Sequence, residues 1–121
     1  MQLENIIKNK IKVNEYISFS KFMHLALYYP NLGYYASPKD KIAASGDFIT
    51  ATSQTSIFAA TMAQIFAKVI KELGKHTSII EFGAGTGKFA VDSISELQRL
   101  DTLPHKYIII ELSSDLKLRQ R

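Results

Sequence analysis

Cysteine is absent from all 121 residues of the sequence. Disulfide bonds, thiolate metal sites and cysteine nucleophiles are therefore excluded from its chemistry. The N-terminal segment, Met1–Lys10, has an acid at Glu4 and no apolar stretch, so it is unlike a secretory signal or an arginine-rich transit peptide. Both features favour a cytoplasmic protein.

Long apolar runs and blocks of basic charge are also missing. No run approaches the ~20 apolar residues of a membrane-spanning helix, so we expect no membrane span. The net charge is only +4 and the lysines are scattered, so charge gives no reason to expect a nucleic-acid partner. The three histidines do not cluster with carboxylates at ligand spacing, and we expect no metal site.

The sequence does contain a glycine-rich turn between a strand pattern and a helix pattern. The apolar run at residues 78–80 leads through Glu81 into Gly83–Gly87, and a helix is predicted from about Lys88. Glycine turns sharply and leaves no Cβ between the backbone and a ligand. The helix that follows directs its free N–H groups at the same place. The pattern predicts a site for a nucleotide-like ligand.

The glycine spacing selects among such ligands. Gly83, Gly85 and Gly87 form G-x-G-x-G, whereas a dinucleotide site uses G-x-G-x-x-G. A P-loop is excluded because Lys88 is not followed by serine or threonine. An acid at Glu81 suits a ligand with a cationic amino-acid group, which indicates S-adenosylmethionine rather than NAD. An NAD(P)-linked oxidoreductase remains an alternative, although it requires the third glycine one residue later.

A second acid follows the next predicted strand. The run Tyr107–Leu112 is typical of a buried strand and carries Glu111 near its end, 24 residues beyond Gly87. In Rossmann-like sheets an acid ~20 residues beyond the glycine turn accepts hydrogen bonds from ribose hydroxyls. Glu111 is therefore a candidate ribose ligand.

The remaining patterns are mostly helical. Apolar spacing predicts an amphipathic helix over 2–12, a buried helix over 19–29 capped by Ser18, and a long helix that ends at Gly74. Thr52 or Ser53 is the expected cap of the long helix. Strands are predicted over 77–82 and 107–112, a helix over 88–100, and a last helix capped by Ser113 or Ser114.

The number of predicted strands is small for a nucleotide-binding sheet. Such sheets use five or more strands, and two parallel strands alone expose both edges and much of both faces. We therefore expect an N-terminal piece of a longer enzyme, inactive alone and binding its cofactor weakly or not at all. The exposed edges also predict self-association into a homo-oligomer.

Four stretches together resemble the MidA-like family of S-adenosylmethionine-dependent methyltransferases. They are the helix and tyrosine-rich turn over 19–35, Gly-Asp-Phe-Ile-Thr over 46–50, the glycine turn over 81–87, and Glu-Leu-Ser from Glu111 with Leu116 and Gln120. The resemblance implies the N-terminal part of a Rossmann-like class I methyltransferase fold of the α/β class. A helical region would cover 1–75 and the first βαβ unit 76–121.

The resemblance also implies function and site residues. A eukaryotic family member is a mitochondrial protein-arginine methyltransferase of complex I assembly, which implies a protein substrate, arginine as acceptor, a respiratory-chain subunit as partner and, in a eukaryote, a mitochondrial location. Catalytic residues are not assigned. The cofactor-binding positions carried over are Glu81, Gly83, Ala84, Gly85, Thr86, Gly87, Glu111, Gly46 and Asp47. For Asp47, a plain turn acid is an equal alternative.

The sequence departs from the family at one place. A Pro-Glu pair usually follows Gly-Asp-Phe-Ile-Thr, whereas this chain has Ala51-Thr52 there. The alternative is therefore a catalytically inactive assembly or interaction protein that retains the methyltransferase fold.

Overall fold

A computed structural model describes residues 2–37 and 50–120 of the chain. Its elements are α1 (Leu3–Asn14), α2 (Phe19–Tyr28), α3 (Ala51–Gln54), α4 (Ile57–Leu73), β1 (Ser78–Phe82), α5 (Lys88–Arg99), β2 (Lys106–Ile110) and α6 (Ser114–Arg119). The described residues fall into two compact units. Residues 2–37 and 112–119 form the first unit, and residues 50–111 with Gln120 form the second. No helix in these described ranges is long and apolar enough to cross a membrane.

The first unit is organised around a tight reversal after α2. The Ser18 side chain caps α2 by accepting a hydrogen bond from the backbone N–H of Lys21 at 3.2 Å, as predicted. The chain then turns back, and the backbone N–H of Gly33 donates to the Tyr29 carbonyl at 2.7 Å. A Cβ on Gly33 would lie 2.4 Å from the Tyr29 nitrogen, so glycine alone fits this turn.

Ser113 joins this turn to the last helix. Its hydroxyl accepts a hydrogen bond from the backbone N–H of Leu116 at 3.1 Å and donates one to the carbonyl of Tyr35. The predicted cap of the last helix is thereby confirmed as Ser113.

The second unit contains a parallel pair of strands covered on one face by helices. Its register runs from Ser78 opposite Lys106 to Phe82 opposite Ile110. On the covered face, Ile79 packs against a buried core formed by Ala63, Ala67, Ile70 and Leu97. Small alanines spaced four residues apart on α4 let α5 approach closely. The short loop after β1 places the start of α5 at the carboxyl end of that strand.

The opposite face of the sheet is apolar and exposed. Ile80 and Phe82 on β1 are 54% and 76% exposed, and Ile108 and Ile110 on β2 are 39% and 44% exposed. These four side chains lie on one face because alternate residues of a strand point the same way. The predicted α/β class, with helices preceding a strand–helix–strand unit, is confirmed.

One predicted helix is wrong. The single helix capped by Thr52 or Ser53 is divided into α3 and α4, and the extended residue Thr55 lies between them. Thr50 takes the N-cap position of α3, and its backbone N–H donates to the Ser53 hydroxyl at 3.0 Å. Thr55 accepts from the backbone N–H of Ile57 at 3.2 Å. Hydroxyl side chains that bond nearby backbone compete with continuous helix, and this region is rich in them.

The boundaries of both strands also differ slightly from the predicted ones. The second strand ends at Ile110, so Glu111 follows β2 instead of lying within it. The first strand begins at Ser78, one residue later than predicted.

Candidate cofactor site

The glycine turn between β1 and α5 adopts backbone conformations that other residues rarely adopt. Gly83, Gly85 and Gly87 have φ of 66°, 57° and 80°. An L side chain in this left-handed region is strained by contact between its Cβ and the backbone, and glycine avoids that cost. The turn closes with a hydrogen bond of 2.9 Å from the backbone N–H of Gly87 to the carbonyl of Ala84. The three glycines therefore fold the loop across the carboxyl end of β1.

A cavity of about 340 Å³ opens beside this loop. Its volume is within the usual range for small-molecule sites. Five predicted site residues line it, namely Glu81, Gly83, Ala84, Gly85 and Thr86. The structure adds six that the sequence did not suggest, namely Thr50, Thr52, Ser53, Phe58, Lys88 and Phe89. Signals existed for three of these six: Lys88 directly follows the loop, Thr50 ends the Gly-Asp-Phe-Ile-Thr stretch, and Thr52 stands where the Pro-Glu pair is usual.

Glu81 is an acidic residue of the cavity wall. It is partly buried in β1, and its Oε2 accepts a hydrogen bond of 2.8 Å from the hydroxyl of Tyr107 on β2. Desolvation by burial raises the pKa of the Glu81 carboxyl, and the hydrogen bond from Tyr107 acts in the opposite direction. Burial and then the bond to Glu81 raise the pKa of Tyr107, so its hydroxyl keeps the proton that it donates.

The charge of Lys88 is compensated locally. Its ammonium group pairs with the carboxylate of Asp92, one turn further along α5. The residues that line the cavity from 50–58 carry hydroxyl groups or an aromatic ring and no charge. Among the described residues that line the cavity, Glu81 is therefore the acid available for a cationic ligand group.

Gly87 and Glu111 lie outside the cavity lining. Gly87 is buried, and a Cβ on it would lie 3.4 Å from Cγ of Gln120. The side-chain amide of Gln120 also donates a hydrogen bond of 2.8 Å to the carbonyl of Gly85. Glu111 is 9% exposed and follows Ile110, whose carbonyl accepts a hydrogen bond of 2.9 Å from the backbone N–H of Gly83. Glu111 is thus next to the strand end from which the loop departs.

Gly46 and Asp47 lie outside the described residues. The rings of His76 and His105 are 5.9 Å apart, in the loops that precede the two strands. Over residues 2–37 and 50–120, no group of three or more His, Cys, Asp or Glu side chains could hold a metal ion.

A family comparison agrees with this geometry. Residues 61–121 match the model of a family described as "Putative S-adenosyl-L-methionine-dependent methyltransferase". The chain belongs to this methyltransferase family. A comparison with curated proteins gave no match.

Two solved structures are similar to this methyltransferase-family chain. One is a COG1565 superfamily member from Burkholderia thailandensis bound to S-adenosyl-homocysteine, with 34% identity and a TM-score of 0.86, over 98% of this chain and 32% of that one. The other is an uncharacterized COG1565 superfamily protein from the same organism, with 34% identity and a TM-score of 0.77, over 98% of this chain and 29% of that one. The chain therefore spans about a third of the length of these proteins.

Proposed function

We propose that the protein transfers a methyl group from S-adenosylmethionine to a nitrogen atom of a protein side chain. The observation that carries this proposal is a partly buried carboxylate, Glu81, in the wall of a cavity that a left-handed glycine loop borders. Family membership and a similar structure bound to S-adenosyl-homocysteine support it. When bound, S-adenosylmethionine supplies a methyl group on a positively charged sulfur.

The proposed roles of this chain's residues follow from their chemistry. The carboxylate of Glu81 attracts the ammonium of the methionine end. The backbone of residues 83–87, which includes Ala84 and Thr86, lies against the ligand without intervening side chains. Glu111 holds the ribose hydroxyls, as its position beyond β2 supports. Gly46 and Asp47 retain their proposed role beside the pocket on the resemblance alone.

The wall contributed by residues 50–58 favours binding and orientation over acid–base chemistry. Thr52 and Ser53 line the cavity with hydroxyl groups, in the region where the MidA-like pattern has a Pro-Glu pair. A methyl sulfonium is already reactive, so positioning the acceptor supplies much of the catalysis. A catalytically inactive assembly protein that still binds the cofactor remains the second candidate, and the missing acid favours it.

The finer assignments rest on the resemblance and the sequence alone. These are membership of the MidA-like group, arginine as acceptor, a respiratory-chain subunit as partner and the cytoplasmic or mitochondrial location. Self-association is proposed from the exposed apolar face of the sheet.

Calorimetry with S-adenosyl-homocysteine and with NAD tests which type of cofactor the protein binds. We expect the protein, expressed from its complete gene, to bind S-adenosyl-homocysteine in preference to NAD. Gly85→Val should lower this affinity by at least about tenfold, because a β-branched side chain at a positive φ is strained and Gly85 lines the cavity. Gly74→Val is the matched control, since Gly74 also has a positive φ but lies away from the cavity.

Folding and activity need separate measurements. A thermal melt of both variants shows whether the loss of binding comes from unfolding. Tritium transfer from labelled S-adenosylmethionine to cell-extract proteins separates an active enzyme from the inactive alternative. Equal binding by Gly85→Val and the parent protein would contradict the proposed site.

A further inference from the structure

Tyr107 contacts the candidate site through one hydrogen bond and does not line the cavity. In the strand register Tyr107 lies opposite Ile79, two residues before Glu81 on β1. Its side chain is therefore on the same face of the sheet as Glu81, at a diagonal position that a long aromatic side chain can span. The hydroxyl reaches Oε2 of Glu81 at 2.8 Å.

This hydrogen bond stands out among the groups that face Glu81. In the described part of the chain, Tyr107 is the one side chain hydrogen-bonded to the Glu81 carboxylate. Lys88 lines the same cavity from α5, but it is paired with Asp92. The lining residues from α3 and α4 are uncharged. A half-buried carboxylate with so few partners depends on that one donor for its orientation and its charge.

Resting on the proposed function, we propose that Tyr107 is a positioning residue for the methionine end of the cofactor. Its hydroxyl fixes one oxygen of Glu81 against β2, and the carboxylate is thereby held in the cavity wall with its charge available to an ammonium group. Tyr107 acts through Glu81 and makes no contact with the ligand itself. Specificity for a ligand with an amino-acid end would then depend on a pair of residues from two neighbouring strands.

Two ligands that share an adenosyl group isolate this effect. S-adenosyl-homocysteine carries the ammonium group, and 5′-methylthioadenosine lacks the whole amino-acid end. In Tyr107→Phe, we expect S-adenosyl-homocysteine to bind about tenfold more weakly, as loss of a hydrogen bond to a charged group predicts. Affinity for 5′-methylthioadenosine should stay within about twofold. Tyr16→Phe is the matched control, because Tyr16 is 77% exposed and belongs to the loop after α1.

The titration of Glu81 supplies a readout that needs no ligand. The bond from Tyr107 lowers the pKa of Glu81, so its removal should move the Glu81 titration, followed by carbon-13 NMR of the carboxyl group, to higher pH. Attraction of an ammonium group is present above the pKa of Glu81 and is lost as the pH falls through it. The affinity of Tyr107→Phe for S-adenosyl-homocysteine should therefore decline at a higher pH than that of the parent.

The possible results separate this inference from the proposed function. Selective loss of S-adenosyl-homocysteine together with a raised Glu81 titration supports the positioning role. Equal loss of both ligands, or a Glu81 titration that does not move, overturns it. A parent protein that binds neither ligand overturns the proposed function, and the ligand-free titration still decides whether Tyr107 controls Glu81.

Discussion

The backbone around Gly33 leaves no space for a side chain at that position. A Cβ there would lie 2.4 Å from the Tyr29 nitrogen and 2.7 Å from the carbonyl carbon of Leu27. Both neighbours are backbone atoms of a hydrogen-bonded turn, so they cannot rotate away as a side chain would. The turn after α2 therefore requires glycine because a side chain has no space there. Glycine is required at Gly83, Gly85 and Gly87 for a different reason, namely their positive φ.

We predict that Gly33→Ala destabilises the protein by about 1–3 kcal/mol, the usual cost of forcing an extra carbon into a packed position. Gly74→Ala is the comparison, because Gly74 has a φ of 91° but nothing within 4 Å of a Cβ. Its cost is backbone strain alone, on the order of 1–3 kcal/mol, because φ of 91° with ψ of −179° lies in a region that glycine alone readily adopts. Urea unfolding measures both variants. A Gly33→Ala protein as stable as the parent would contradict the steric account.

The glycine loop depends on a second segment of chain as well as on its own glycines. Gln120, one residue beyond α6, donates from its side-chain amide to the carbonyl of Gly85 and packs its Cγ near Gly87. A carboxylate at this position could only accept hydrogen bonds, so it would repel that carbonyl.

We therefore predict that Gln120→Glu weakens S-adenosyl-homocysteine binding several-fold and speeds amide hydrogen exchange across residues 84–87. Gln98→Glu provides the control, because Gln98 is an exposed residue of α5 that receives the same change of charge. Identical exchange rates in the two variants would show that Gln120 does not support the loop.

Local signals made the strand–loop–helix unit predictable from the sequence. β-Branched runs and glycines act within a few residues, and the predicted boundaries of β1 and α5 differ from the structure by one residue at most. The break between α3 and α4 was missed because hydroxyl side chains took over backbone hydrogen bonds. Tyr107 was missed because its partner lies 26 residues away, and no local pattern encodes that pairing. The site residues contributed by 50–58 were missed for the same reason.

The exposed apolar face of the sheet is a surface through which copies of the 121-residue chain can associate. Ile80, Phe82, Ile108 and Ile110 form one contiguous apolar surface on neighbouring strands. Surfaces of this kind tend to be buried against another surface, because the removal of apolar area from water lowers the free energy. The covered face, by contrast, already packs against α4 and α5.

We predict that the 121-residue chain self-associates as its concentration rises, and that the double substitution Ile80→Thr with Ile108→Thr reduces this. Threonine keeps the β-branched shape that suits a strand while adding a hydroxyl group. Val91→Thr makes the same change on the exposed side of α5, at a side chain that is 64% exposed. Sedimentation velocity should show association for the parent and the Val91 control. Unchanged association in the double variant would rule out the sheet face.

The hydrogen bond from Ser113 to Tyr35 has a consequence for synthesis on the ribosome. These partners are 78 positions apart, so at ordinary elongation rates the earlier one waits on the order of 10 s for the later one to be made. Residues 50–111 form a nearly continuous unit in the meantime and can acquire their core as they emerge. The turn that contains Tyr35 is therefore made early and fixed late, which leaves it open to chaperones during that interval.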